Sequence, residues 1–198
     1  MSPIRIFVAS VAVAGVLAGT GIGAASAAAV SLSRFDDGSF ETPRVAANTF
    51  TNVGTGGTIG PWKVTAGNVD HIGAGYWQAA EGDQSVDLNG GTAGTVAQTF
   101  TTVPGKRYVV TYSLAGNPGG GPAVRTGKVL VDGQNFQDFS FDVTGKTVTN
   151  MGYVTREVVF VARGTSTTLA FASTQNTAYG PVIDDVTVRA CTPCPSCD

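Results

Sequence analysis

In Gly180-Pro-Val-Ile-Asp-Asp-Val-Thr-Val188, the acid Asp184 falls at the same two-residue spacing as Val182, Val186 and Val188. A strand presents alternate residues to one face. A carboxylate among valines on a covered face is costly unless it is paired or holds a cation. Far upstream, Phe35-Asp-Asp-Gly-Ser-Phe-Glu41 offers a second group of acids and turn residues. The two segments are therefore expected to meet, with an ion or a polar cluster between them. The alternative is a capped turn, with Asp184 held by backbone N–H groups or paired with Lys or Arg.

Aromatic residues in turn-rich sequence offer a different chemistry. Sugar recognition sets flat rings against the apolar faces of pyranoses and uses planar polar side chains for hydroxyls. Tyr76-Trp77, Tyr153 and Tyr179 sit in or beside loops. Asp70, His71, Asn117, Arg125 and Gln175 supply polar groups. Trp62 and Phe100 read as core residues instead. Tyr76 and Trp77 suit either a platform or loop packing. Together with Asp70 and His71 they are the expected contact residues.

Catalysis finds less support. His71 is the single histidine, and a general base needs a positioned partner and substrate. No Gly-x-Ser-x-Gly elbow is present, and no Cys is placed to act with His71. A glycosidase needs two carboxylates across the scissile bond. Asp70, Glu81 and Asp87 are available, but nothing in their spacing pairs them. No phosphate-binding loop precedes a helix. The chain is read as non-catalytic.

The elements that must position these groups are strands. Tyr108, Val110, Tyr112 and Leu114 alternate with Val109, Thr111 and Ser113, which predicts a strand after the Pro104-Gly105 turn. Lys128–Val131 and Phe136–Phe141 flank Asp132-Gly133, a hairpin signal. Val158, Phe160 and Ala162 form one face of another strand, and Gly164 turns the chain into Thr167–Phe171. A last strand runs from Pro181 to Arg189, with further strands at Trp62–Thr65, Ser85–Leu88 and Val96–Thr101. Ala46 to Gly60 and Gly116 to Pro122 read as loops. No segment has a sustained helical period, and no repeat is visible.

Composition agrees. The chain has 198 residues, 27 of them Gly, and only 13% are charged, which suits one turn-rich all-β domain. Its length is ample for a core. A net charge of -2, with Lys and Arg scattered, argues against a nucleic-acid partner. Arg5, the apolar run from Ile6 to Val16 and Ala25-Ser-Ala27 read as a signal peptide over residues 1–28, hence secretion. Gly and Ala dilute the run before it reaches a membrane span, so no stable span is expected after cleavage. The domain is expected over 29–190. Cys191, Cys194 and Cys197 then lie in a tail, 191–198, with one local bridge favoured over a zinc set.

An ordered series of motifs resembles a known family. The series is Asp37-Gly-Ser-Phe-Glu41, Trp62, Val69-Asp-His-Ile72, Tyr76-Trp77, Ser85-Val-Asp-Leu-Asn-Gly90, Gln98-Thr-Phe100, Leu114-Ala-Gly-Asn-Pro118, Met151-Gly152 and Gly180-Pro-Val-Ile-Asp-Asp-Val186. It is similar to the choice-of-anchor C proteins of bacteria, relatives of the plant cell-wall proteins of domain of unknown function 642. The resemblance implies an all-β jelly-roll β-sandwich, galactose-binding-domain-like, with two antiparallel sheets. It implies an exported protein of the cell wall or cell surface, and no established activity. The sortase motif or terminal apolar span of many bacterial members is missing, and the Cys-rich tail stands in its place. Similar jelly rolls hold a structural calcium. The matching positions are the carbonyl of Ser39, Glu41, Glu81, the carbonyl of Gln84, and Asp184.

The expected function is a secreted, non-catalytic module that binds a polysaccharide or glycoconjugate at a cell wall or extracellular surface. The alternative is a structural or adhesion protein that contacts other proteins and is crosslinked through its tail.

Overall fold

The computed structural model describes residues 34–191. In chain order its strands are β1 (Phe50–Gly54), β2 (Thr58–Ile59), β3 (Trp62–Ala66), β4 (Asn68–Ile72), β5 (Ser85–Asp87) and β6 (Thr95–Thr101). They continue with β7 (Arg107–Gly116), β8 (Val124–Val131), β9 (Gln134–Asp142), β10 (Val154–Val161), β11 (Ser166–Ser173) and β12 (Pro181–Ala190). One sheet has the order β1-β4-β5-β12-β7-β10 and the other β2-β3-β6-β11-β8-β9. All ladders between these strands are antiparallel. The result is the expected jelly-roll β-sandwich.

The long alternating runs become strands because they bury one face between the sheets. Trp62 sits at the centre, fully buried, with Phe40 at 4.9 Å, Phe35 at 5.6 Å and Phe171 at 6.1 Å between ring centroids. Phe35 also meets Phe100 at 5.5 Å. From the other sheet Tyr112 reaches Phe171 at 5.0 Å. Rings of this size account for much of the apolar area removed from water. Asp132 and Gly133 both have positive φ, 49° and 76°, which matches the tight β8–β9 turn read from their residue types.

Ala46 to Gly60, expected as a loop, holds β1 and β2. Each pairs on one side only, β1 with β4 and β2 with β3. Edge strands with exposed side chains need little apolar sequence, so Thr, Asn and Gly suffice there. Asn68–Ile72, absent from the expected strands, is a full strand between β1 and β5.

The two-residue period expected through Asp184 does not hold along the whole of β12. Register partners share a face of the sheet. Val188 pairs with Val110 and Ile183 with Leu114, on the side of Tyr112 and the second sheet. Asp184 pairs with Ser113 and Val182 with Ala115, on the opposite side. A bulge between Asp184 and Thr187, with Asp185 at φ 48°, breaks the two-residue period. Asp184 therefore shares a face with Val182 but not with Val188. It lies on the outer face of its sheet and is buried there by a covering loop.

The early and late segments do meet. Val186 N–H donates to the Gly38 carbonyl at 2.9 Å, and Trp62 Nε1–H donates to the Asp37 carbonyl at 2.9 Å. The expected leader, and the tail from Thr192 onward, lie outside the described residues. Among the described residues no helix is long and apolar enough to cross a membrane.

Candidate functional site

The outer face of the β1-β4-β5-β12 part of the sheet forms the floor of a cleft. Phe50 is opposite Ile72, and Asn52, Asp70 and Asp87 form one cross-strand row. Three loops wall this floor: the segment after β4 with Tyr76 and Trp77, the segment after β7 with Asn117, and the segment before β12 with Ala178 and Tyr179. The cleft has a volume of about 270 Å³ and also touches Gly90. Asp70, Tyr76, Trp77, Asn117 and Tyr179, chosen from sequence, all line it. Phe50 and Asp87 line it as well.

The rings at the rim differ in what they present. Phe50, Tyr76 and Tyr179 are 44%, 38% and 38% exposed. Tyr76 stands edge-on to Phe50 at 5.4 Å and to Trp77 at 5.5 Å. Trp77 is only 6% exposed, and its Nε1–H donates to Ser85 Oγ at 2.8 Å. It props Tyr76 and offers the cleft little of its own face. A second trough of about 310 Å³, lined by Gly75, Gln78, Val148 and Thr149, lies against Tyr76 and Trp77 as well.

Tyr179 rests on the Gly119-Gly120 backbone. A Cβ on Gly120, where φ is 45°, would come within 2.0 Å of the ring, so only glycine admits this approach. Beneath the ring lies Arg125, 0% exposed, with its guanidinium carbon 5.8 Å from the ring centroid. The guanidinium donates to the carbonyls of Asn117, Gly119, Gly120 and Pro122. Arg125 is thus the internal clamp of the 117–122 loop and not a ligand contact. Burial lowers its pKa, with Asp87 and Tyr179 acting in the opposite direction.

Asp87 is the most perturbed acid of the cleft. It is fully buried and accepts from Asn89 N–H at 2.9 Å, Gly180 N–H at 3.0 Å and Asn117 Nδ2–H at 2.8 Å. Burial pushes its carboxyl up to about 8, the charge of Asp70 adds to the rise, and the three N–H donors oppose it. Asp70 accepts from Asn52 Nδ2–H at 2.8 Å through Oδ1. Burial raises its pKa too. The cleft therefore combines exposed rings with a floor of carboxyl and amide groups held in fixed positions. That pairing suits an amphipathic, hydroxyl-rich ligand.

Other residues chosen from sequence fall elsewhere. His71 is next to Asp70 on β4, so alternation sends it to the inner face. It is buried, 2.7 Å from the Phe40 carbonyl and 3.2 Å from Gln84 Nε2. Burial holds it below the usual imidazole range, while the Phe40 carbonyl pulls upward. Tyr153 lies outside the cleft, and its buried hydroxyl meets no geometrically sound partner, although Ser85 is nearby. Gln175 Nε2–H donates to the Val124 carbonyl at 2.7 Å and fastens the start of β8.

The five positions implied for calcium are not gathered into a cage. Asp184 Oδ2 accepts from the N–H of Ala80 and Glu81 at 2.7 and 3.1 Å, and its Oδ1 from Asp185 N–H at 2.6 Å. Glu41 Oε1 accepts from the N–H of Asp83 and Gln84 at 2.7 and 2.8 Å. The Gln84 side chain bonds to Phe40 and Pro43, and Ser39 and Glu81 bring no third acid to either group. Calcium takes about six to eight oxygens, whereas here N–H donors occupy both oxygens of Asp184 and Oε1 of Glu41. Among the described residues no three His, Cys, Asp or Glu gather to hold a metal. The donor set as arranged does not fit the ion. Burial pushes the Asp184 carboxyl up to about 7, against the N–H groups of Glu81, Ala80 and Asp185.

Fold and cleft together define a β-sandwich module with one walled recess on a sheet face. The chain belongs to the family described as protein of unknown function DUF642, whose pattern matches residues 33–189. It is 32% identical over 130 residues to halomucin of Haloquadratum walsbyi, which covers 64% of this chain and 1% of halomucin. The chain thus spans a very small part of that relative's length. Among solved structures it is similar to a family 35 carbohydrate binding module from Clostridium thermocellum, with TM-score 0.50 and 13% identity, over 71% of this chain and 99% of that one. It is also similar to a family 61 module in complex with β-1,4-galactotriose, with TM-score 0.47 and 16% identity, over 81% and 99% of the two chains. At 13% identity the likeness to the family 35 module shows the fold alone.

Proposed function

We propose that the chain is a secreted, non-catalytic carbohydrate-binding module. It acts at a cell wall or other extracellular surface, in the manner expected of choice-of-anchor C relatives. The observation that carries this reading is the convergence of Phe50, Tyr76 and Tyr179, all partly exposed, on one cleft floored by Asp70, Asp87 and Asn117. Exposed rings cover the apolar faces of a sugar, and the floor groups take its hydroxyls. No nucleophile stands beside a base in this cleft, so binding without turnover is the chemistry it supports.

The test is retention of the domain on a panel of insoluble polysaccharides. Tyr76→Ala and Tyr179→Ala should each weaken retention at least tenfold, with Tm within a few degrees of the parent. Because N–H donors take both Asp184 oxygens and Oε1 of Glu41, and no three acids gather among the described residues, retention should be the same with calcium and with chelator. Retention that both variants keep in full would remove the cleft from the proposal.

A further inference from the structure

We propose that the cleft selects its ligand by charge: it accepts chains of neutral sugars and rejects uronate-bearing chains. This rests on the carbohydrate reading above and adds the class of sugar.

Asp70 and Asp87 are direct register partners on β4 and β5, and both line the cleft. Directly opposed side chains lie roughly 5 Å apart at Cβ. Asp87 is fully buried and, with its carboxyl pushed up to about 8, mostly protonated at pH 7, so Asp70 carries the charge of the floor. Among the described residues no Lys, Arg or His lines the cleft. Arg125 is the cation beneath it, and that guanidinium is sealed under Tyr179 with its N–H groups turned to the carbonyls of the 117–122 loop. His71 points into the core and donates nothing to this face.

A ligand carboxylate in this recess would meet the Asp70 carboxylate with no cation among the described lining residues to compensate, in a partly desolvated setting that weakens screening. A neutral pyranose meets the opposite situation. Asp70 accepts from Asn52 through Oδ1, and Oδ2 takes no hydrogen bond among the described residues. Oδ2 is therefore available to accept from a sugar hydroxyl, a charge-assisted bond. Asn117 Nδ2 has given one hydrogen to Asp87 and keeps a second for a sugar oxygen. Buried like-charge contacts of this kind discriminate by repulsion as much as by attraction.

The experiment is affinity electrophoresis and calorimetry of the whole chain at pH 7. Four neutral polymers (galactan, xylan, mannan, β-glucan) are compared with polygalacturonate and alginate. At least one neutral polymer should bind, at least tenfold more tightly than either acidic polymer. Asp70→Asn, with Tm checked, should weaken the neutral ligand about tenfold and narrow the gap. Equal or tighter binding of an acidic polymer, lost in Tyr76→Ala, would overturn the charge selection and leave the site standing. Discrimination that Asp70→Asn leaves unchanged would overturn the role of Asp70. Binding of no polymer of either kind would overturn the carbohydrate reading and this inference with it.

Discussion

Asp87 shows how a single side chain can be both a binding group and a stability term. An acid whose pKa is higher folded than unfolded holds its proton more tightly in the folded state. Its contribution is complete below its ordinary value of 3.8 and is lost as pH rises through about 8. Asp184 acts in the same direction, with loss through about 7. Thermal unfolding is therefore expected to show Tm falling from pH 5 to pH 9. Asp87→Asn, which keeps the shape and removes the titration, should flatten that slope. A steeper slope in the variant would contradict the assignment. Residue types alone singled out Asp70, Tyr76, Asn117 and Tyr179, which the structure brings to one cleft, because loop aromatics and planar polar groups carry that signal themselves. They misplaced His71, since its neighbour Asp70 takes the outward position on the strand. Phe50 was passed over because its strand has the composition of a loop. Asp87 was noticed only as a spare acid, and its pairing with Asp70 is a matter of register.

At the scale of elements, the 117–122 loop has no regular structure of its own and is held by Arg125. Gly116 to Pro122 was legible as a loop, but its clamp was not, because Arg125 lies in β8 and an isolated arginine reads as a surface charge. Hydrogen bonds to charged groups contribute about 1.5–3 kcal/mol each, and carbonyls left buried without a donor add to the loss. Arg125→Met should lower stability by about 3 kcal/mol in urea unfolding and weaken glycan retention together, since Tyr179 loses its seat. Stability lost with retention intact would separate the loop from the site. The bulge at Asp185 has the same lesson. Alternating valines announced β12, but a single residue at positive φ reverses which of them face inward.

At the scale of the molecule, most strands were expected from alternation and turn chemistry, and the two-sheet jelly roll from the ordered motifs that carry the family resemblance. The joining of three distant loops into one recess was not, since it depends on which strands become neighbours. Tyr76 separates that recess from the trough beside Gln78 and Val148. A chain long enough to cross this ridge touches both. Calorimetry with oligosaccharides of increasing length should show affinity rising from the single sugar and levelling off once both sides are filled. Length-independent affinity would restrict binding to one side.

The placement of the last strand has a mechanical consequence. β12 lies inside its sheet, paired with β7 along most of its length and with β5 at Val182 and Ile183. The segment around Gly38 is joined to it through one backbone bond at the bulge and to the core through Phe35 and Phe40. A load drawn through the carboxyl end must shear the long β7 ladder, with the short β5 pairing behind the bulge. The same load drawn through the amino end meets side-chain packing and a few isolated bonds, and peels them in turn. The molecule is thus polarised under tension, stiff at one end and yielding at the other.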